Sequence, residues 1–262
     1  MLYSSVNYTQ TDLIDISDRG LAFGDGIFTT GKVVEGKLEH YQAHIERLKH
    51  GCSMLQLPTP DWQALENEVS NAINGRTLAT IKVTITAGVS SRGYSRRGSL
   101  TPTIIITVSE FPSHYPLWQN QGVNLGISTV KLGLNPSTAG IKHLNRLEQV
   151  LIRNELDTLD VDEAVVCDIN NNIVECNTAN IFWVKNNTLF TPCLKLSGVT
   201  GIVREELIKS TENVQIVNAS IEALDSADAI FISNSLLGVI PVVKFMERTF
   251  NIETVLALLG KC

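Results

Sequence analysis

Lys142 stands in the stretch Gly140-Ile141-Lys142-His143-Leu144-Asn145-Arg146-Leu147-Glu148-Gln149, directly after a loop (135–140) bounded by Pro and Gly. Leu144, Leu147, Leu151 and Ile152 recur at helical spacing, which predicts a helix with the lysine at its start. The positive end of a helix dipole disfavours an ammonium there. It favours the neutral amine needed to build a Schiff base. Glu175 lies in the β-patterned run 173–182, where a carboxylate among apolar neighbours is costly unless it pairs with a positive group. Gly201-Ile202-Val203 reads as a helix start without a capping side chain, leaving the N–H groups of Ile202 and Val203 to bind an anion. Ser235, at the end of a predicted strand, offers a hydroxyl suited to phosphate. Arg47, in His44-Ile45-Glu46-Arg47-Leu48, adds a fixed cation of bidentate geometry.

An amine, a carboxylate and an anion site with arginine are together what pyridoxal phosphate requires. The lysine would hold its aldehyde, the carboxylate would keep its ring nitrogen protonated, and the anion site would anchor its phosphate. Singly, each residue has an ordinary explanation: a surface lysine, a turn cap, a helix-face charge, a turn serine. The combination is what points to the cofactor.

These residues need strands and helices to position them. Residues 27–34 read as a strand, with Glu35-Gly36 turning into 37–39. Turns are expected at Asp18-Arg19-Gly20 and Gly24-Asp25-Gly26. Tyr41, Ile45, Leu48, Cys52 and Leu55 mark one helix, and Trp62, Leu65, Val69 and Ile73 a second, closed by Asn74-Gly75. Residues 78–86 and 104–108 are strands, joined by a flexible loop (88–98) rich in Gly, Ser and Arg. Residues 111–116 read as an extended linker. A strand is expected near 123–128. Hairpins follow at 163–176, around Asn170-Asn171-Asn172, and at 181–191, around Asn186-Asn187. A short helix at 203–209, strands at 214–217, 229–233 and 239–243, and a last helix at 252–259 complete the chain. The expected fold is α+β in two domains, 1–113 and 120–262, with a linker at 114–119. Phe182 and Trp183 read as core, and His143 as a polar residue at a helix start.

The net charge of −6 gives no reason to expect nucleic-acid or membrane binding, and Arg92, Arg96 and Arg97 form the only basic cluster. Cys52, Cys167, Cys176, Cys193 and Cys262 contain no CxxC pair, so neither a zinc site nor a disulfide framework is indicated. No metal is expected. A reducing, cytoplasmic setting is the default. The first residues carry no signal-peptide pattern, and no apolar run approaches the roughly 20 residues of a membrane span.

Phe23-Gly24-Asp25-Gly26-Ile27-Phe28-Thr29-Thr30, His44 to Leu48, Gly140 to Asn145 and Glu175 to Phe182 together resemble the fold-type IV pyridoxal-phosphate enzymes. That family contains branched-chain aminotransferases, D-amino-acid aminotransferases and aminodeoxychorismate lyases. The resemblance covers about residues 13–241, in the same motif order. Among its branches the chain is most similar to the bacterial lyases, through 140–149 and Gly93-Tyr94-Ser95. It implies a small N-terminal α/β domain, a larger C-terminal pseudo-barrel domain and a homodimer. It implies that Lys142 carries the cofactor and shuttles the proton. Glu175 would pair with the ring nitrogen, while Arg47, Ile202, Val203 and Ser235 would hold the phosphate. Arg92, with Tyr94 beside it, matches a position that binds a substrate carboxylate in related enzymes. Thr30 matches the lyases' proton-relay threonine, where branched-chain aminotransferases have glycine. Those aminotransferases carry a tyrosine five residues after the lysine, and Leu147 stands here, which weakens a transaminase reading. The implied reaction is β-elimination of 4-amino-4-deoxychorismate to 4-aminobenzoate and pyruvate, toward folate. The competing expectations are a D-amino-acid or branched-chain aminotransferase, and a non-catalytic binding protein of the same fold.

Overall fold

The computed structural model describes residues 1–90, 92–98 and 101–259; Ser91 and Cys262 lie outside the described residues. The chain forms two compact units, Met1–Pro112 with Lys142–Asn145, and Ser113–Ile141 with the residues from Arg146 onward.

The first unit is built on strands β1 (Tyr3–Val6) and β2 (Thr9–Gln10), helix α1 (Arg19–Phe23), strands β3 (Gly26–Val34) and β4 (Lys37–Leu38), helices α2 (Tyr41–Met54) and α3 (Trp62–Ile73), and strands β5 (Leu78–Thr86) and β6 (Thr103–Ser109). Its sheet runs β2-β1-β6-β5-β3-β4, every pairing antiparallel. Alternation along β3 buries Ile27, Thr29, Gly31 and Val33 and leaves Phe28, Thr30 and Lys32 half-buried on the other face. The β3–β4 turn falls on Glu35 and Gly36, both at positive φ (48° and 69°), a two-residue geometry matched to strand twist. Helix α3 starts where the Asp61 side chain accepts the Ala64 N–H, and it buries Leu65, Val69, Ala72 and Ile73. Each of its larger apolar side chains contributes roughly 1.5–3 kcal/mol by leaving water.

Where turns were expected at 18–26, the chain forms one turn of helix. Asp18 accepts the Gly20 N–H at its start, and Gly24 closes it in the left-handed region at φ 63°. The two Gly-containing triplets are therefore the caps of α1.

The second unit holds helix α4 (Tyr115–Gln121), strand β7 (Val123–Ile127), helix α5 (Leu147–Leu156), strands β8 (Glu163–Cys167), β9 (Ile173–Cys176), β10 (Asn180–Lys185) and β11 (Thr188–Pro192), helix α6 (Ile202–Ser210), strands β12 (Val214–Val217), β13 (Ala229–Asn234), β14 (Gly238–Phe245) and β15 (Arg248–Thr249), and helix α7 (Ile252–Leu259). Its sheet runs β12-β11-β10-β13-β14-β7-β8-β9, with β15 on β14. The terminal strand β9 packs against β10 and β11 near the opposite end of that order, so the sheet curls on itself. Phe182 stacks on Phe231 at 5.0 Å beneath it, and Phe182 and Trp183 are buried, as expected of core residues.

The segment 111–116 is not extended throughout, and the helix near Lys142 starts later than its spacing predicts. Residues 115 and 116 are helical, because Pro116 occupies the first turn of α4, where its missing N–H costs nothing. The helix after Lys142 begins only at Leu147, so Leu144 is not helical. Within α5 the core takes Ile152 and Leu156, packed with Val166 and Val174, whereas Leu147 and Leu151 are exposed. The spacing identified the helix but not the face it buries.

Candidate active site

The lysine segment reaches its place by β pairing. Phe28 N–H donates to the Lys142 carbonyl at 2.9 Å, His143 bridges Ile27, and Leu144 N–H donates to the Gly26 carbonyl at 3.0 Å. Four non-helical residues separate Lys142 from α5. A helix dipole acts over the first turn, so it does not account for this lysine as the sequence suggested. His143 is accordingly a strand-bridging residue and not a helix start. What Lys142 meets is the half-buried face of β3, its Nζ 4.8 Å from the Phe28 ring centroid. Thr30, two residues on, shares that face by the period of the strand.

A second lysine, which the sequence reading did not single out, arrives there from β5. Lys82 pairs with Thr30 in the β3–β5 register, and its Nζ lies 4.7 Å from the Phe28 ring centroid. Desolvation lowers its pKa. Its signal was present, a lone lysine in Ala79-Thr80-Ile81-Lys82-Val83-Thr84-Ile85, but only the register shows what it faces.

Arg47 sits on α2, three residues after His44. Burial pushes its guanidinium down to about 10. His44 is buried, its Nδ1 2.6 Å from Thr29 Oγ1, and burial, then the Arg47 and His40 charges, hold it at about 3. It is a neutral packing residue.

The loop carrying Arg92 and Tyr94 is bonded to Arg19 through its backbone. Arg19 donates through Nη1 and Nη2 to the carbonyls of Gly93 (3.0 Å), Tyr94 (2.9 Å) and Ser95 (3.3 Å) and to Ser90 Oγ (3.0 Å). The backbone is pinned while Arg92 and Tyr94 stay exposed.

In the second unit, Glu175 is buried on β9, and its Oε2 accepts the Val199 N–H at 2.8 Å. Asn180 donates to the Val199 carbonyl at 2.9 Å, and a Cβ on Gly201 would collide with Asn180 Oδ1. Glycine at 201 thus lets the loop pass, and α6 then starts with no side-chain cap. The N–H groups of Ile202 and Val203 therefore begin three residues after the Val199 amide that binds Glu175. Ser235 follows β13, whose Ser233 pairs with Asn180 and whose Asn234 donates to the Thr178 carbonyl at 3.2 Å. Glu175, the α6 start and the Ser233–Ser235 segment thus converge around Asn180. Arg146 also acts on this region: it donates to the Ile141 carbonyl at 2.8 Å, and desolvation lowers its pKa against the charge of Glu175. Leu147, which stands at the aminotransferase tyrosine position, is exposed.

The amino-transferase class IV pattern matches residues 26–245. The chain belongs to that family. It is 40% identical to the aminodeoxychorismate lyase of Vibrio harveyi over 87% of this chain and 86% of that protein. The solved 4-amino-4-deoxychorismate lyase of Pseudomonas aeruginosa superposes with a TM-score of 0.92 at 32% identity, covering 98% of this chain and 97% of that one. A branched-chain amino acid aminotransferase from Escherichia coli shares the class IV fold at TM-score 0.85 and 21% identity, over 98% of this chain and 92% of that one. Among the described residues no His, Cys, Asp and Glu cluster could hold a metal ion, and no helix is long and apolar enough to cross a membrane.

Proposed function

We propose that this chain is a pyridoxal-phosphate-dependent lyase that cleaves 4-amino-4-deoxychorismate to 4-aminobenzoate and pyruvate, a step toward folate. The observation that carries it is the 40% identity to a lyase across 87% of the chain, against 29% to a putative branched-chain aminotransferase across 91% of it. The residues fit the cofactor: a buried carboxylate next to an uncapped helix start, and a desolvated guanidinium. Lys142 would carry it, Glu175 would meet its ring nitrogen, and Arg47, Ile202, Val203 and Ser235 would hold its phosphate. When bound, it holds the substrate's ring amine and draws electrons from the carbon bearing that amine.

Lys142 takes the proton from that carbon. The enolpyruvyl group on the neighbouring carbon leaves with its oxygen and the bonding electron pair, and the ring becomes aromatic. Thr30, on the same strand face as Lys142, orients and protonates that departing oxygen. Lys82 keeps this face electropositive, which suits an anionic substrate. Arg92 grips a carboxylate and, with Tyr94 beside it, fixes the ring for proton abstraction. Glu175 acts as an anion.

We also assign a cytoplasmic homodimer. Each unit exposes apolar side chains that a second copy would cover, Leu13, Ile16 and Leu21 in the first and Leu147, Val150 and Leu151 along α5 in the second. Cys52, Cys167, Cys176 and Cys193 are unpaired, in keeping with a reducing compartment.

The purified protein should be yellow and release 4-aminobenzoate and pyruvate in equal amounts, with Lys142→Ala losing both colour and at least a thousandfold of the rate. Accumulation of the pyridoxamine form with D-alanine or leucine would make it a transaminase. A colourless protein would end the catalytic reading, and light scattering from a monomer would end the dimer.

A further inference from the structure

We propose that Arg19, Asp25 and Arg96 form a clamp that presents Arg92 and Tyr94 to the substrate in a conformation set before the substrate arrives. These are positioning residues, and the proposal rests on Arg92 being the substrate's carboxylate grip. Asp25 is the hub. Its Oδ2 accepts Arg19 Nε at 2.7 Å and Arg96 Nε at 2.9 Å, and its Oδ1 accepts Arg96 Nη2.

The two guanidinium groups then use their remaining donors in different directions. Arg19 spends its outer nitrogens on the carbonyls of three successive loop residues, 93 to 95, and on Ser90 Oγ. Arg96 reaches back through Nη1 to the carbonyls of Leu55 (2.5 Å) and Gln56 (3.0 Å), just past the end of α2. Only arginine has enough forked donors for this. Arg19 is 3% exposed, and its guanidinium also lies 4.8 Å over the Phe23 ring, which in turn contacts the Tyr94 ring at 5.4 Å.

The loop thus has a buried backbone grip and outward side chains. A loop whose composition is Ser-Arg-Gly-Tyr-Ser would otherwise sample many conformations, and the ordering would be charged to substrate binding. With the clamp in place, that entropy is spent in folding. Its signature is therefore in KM more than in kcat.

The experiment uses the holoenzyme. Trypsin nicking after Arg92 and Arg97 and steady-state kinetics would be measured in wild type, Arg96→Ala, Arg19→Lys and Arg92→Ala. Arg96→Ala should be nicked at least tenfold faster and show KM up about tenfold, with kcat within about threefold. Arg19→Lys, which keeps the charge but not the fork, should fall between the two. Arg92→Ala should raise KM while nicking after Arg97 stays at the wild-type rate. If Arg92→Ala raises KM but Arg96→Ala changes neither nicking nor KM, the clamp is overturned. If Arg92→Ala leaves KM unchanged, the reading of Arg92 falls and takes the proposal with it. A global loss of fold in Arg96→Ala would appear in circular dichroism, and Arg19→Lys then decides on the same two readouts.

Discussion

Asp25 in the first unit and Glu163 in the second are both carboxylates withdrawn from water, and they end in opposite states. Burial raises the pKa of Asp25, but hydrogen bonds and charge from Arg96 and Arg19 outweigh it and hold the group below its ordinary value. Among the described residues no cation acts on Glu163. Its Oε1 accepts the Thr178 N–H at 3.1 Å and the Thr178 hydroxyl, its Oε2 has no partner among the described residues, and burial pushes it up to about 7. Glu163 is the more deeply buried of the two, and what it lacks among the described residues is a donor fork, which reaches Asp25 from 6 and 71 residues away.

The sharpest way to break this contrast is to remove the hub. Asp25→Ala should cost about 3 kcal/mol, because Arg19 stays buried without its counter-charge. Urea unfolding reads this directly, and a loss below about 1 kcal/mol would mean the carbonyl contacts alone satisfy the arginines. The Asp25 contribution is present above the usual carboxylate range and disappears as pH falls through its lowered pKa.

Glu163 has the reverse sign. Its folded-state pKa of about 7 lies above the ordinary 4.5, so the folded chain holds the proton over that interval and the unfolded chain does not. Stability attributable to Glu163 should fall as pH rises from about 4.5 to about 7. Glu163→Gln should abolish that decline and gain up to roughly 3 kcal/mol relative to wild type at pH 8. A variant whose melting temperature tracks wild type across that interval would show that Glu163 is not buried as a neutral acid.

The smallest effect belongs to a carboxylate in water. Asp61 caps α3 by accepting the Ala64 N–H at 3.0 Å on the exposed side of the helix. Asp61→Ala should cost about 1 kcal/mol with lyase turnover unchanged. A cost as large as that of Asp25→Ala would erase the distinction between a cap and a buried hub.

Most of the local architecture was legible in the chain. Glu35-Gly36 and Asn186-Asn187 took the positive φ values their hairpins require. The periodicities of α2 and α3, the glycine-bounded start of α6 and the alternation of β5 located those elements to within a residue or two. Strands β1 and β2 were missed, because a short edge pair takes its pairing from β6, about a hundred residues away. The candidate residue types were readable too: a lysine, a carboxylate in an apolar run, an arginine, and a helix start without a cap.

By itself, the sequence determined whatever depends on neighbours within one turn or one hairpin, because backbone sterics, capping and side-chain period act over a few residues. Tertiary structure alone decided the rest. It seated Lys142 on β3 through Gly26 and Phe28, set Lys82 opposite Thr30, and gathered Glu175, Val199 and Asn180 around the start of α6. It also turned a loop of flexible composition into one held at three carbonyls by Arg19. Register and long-range charge pairing are sums over distant partners, and no local window of sequence contains both ends of such a bond.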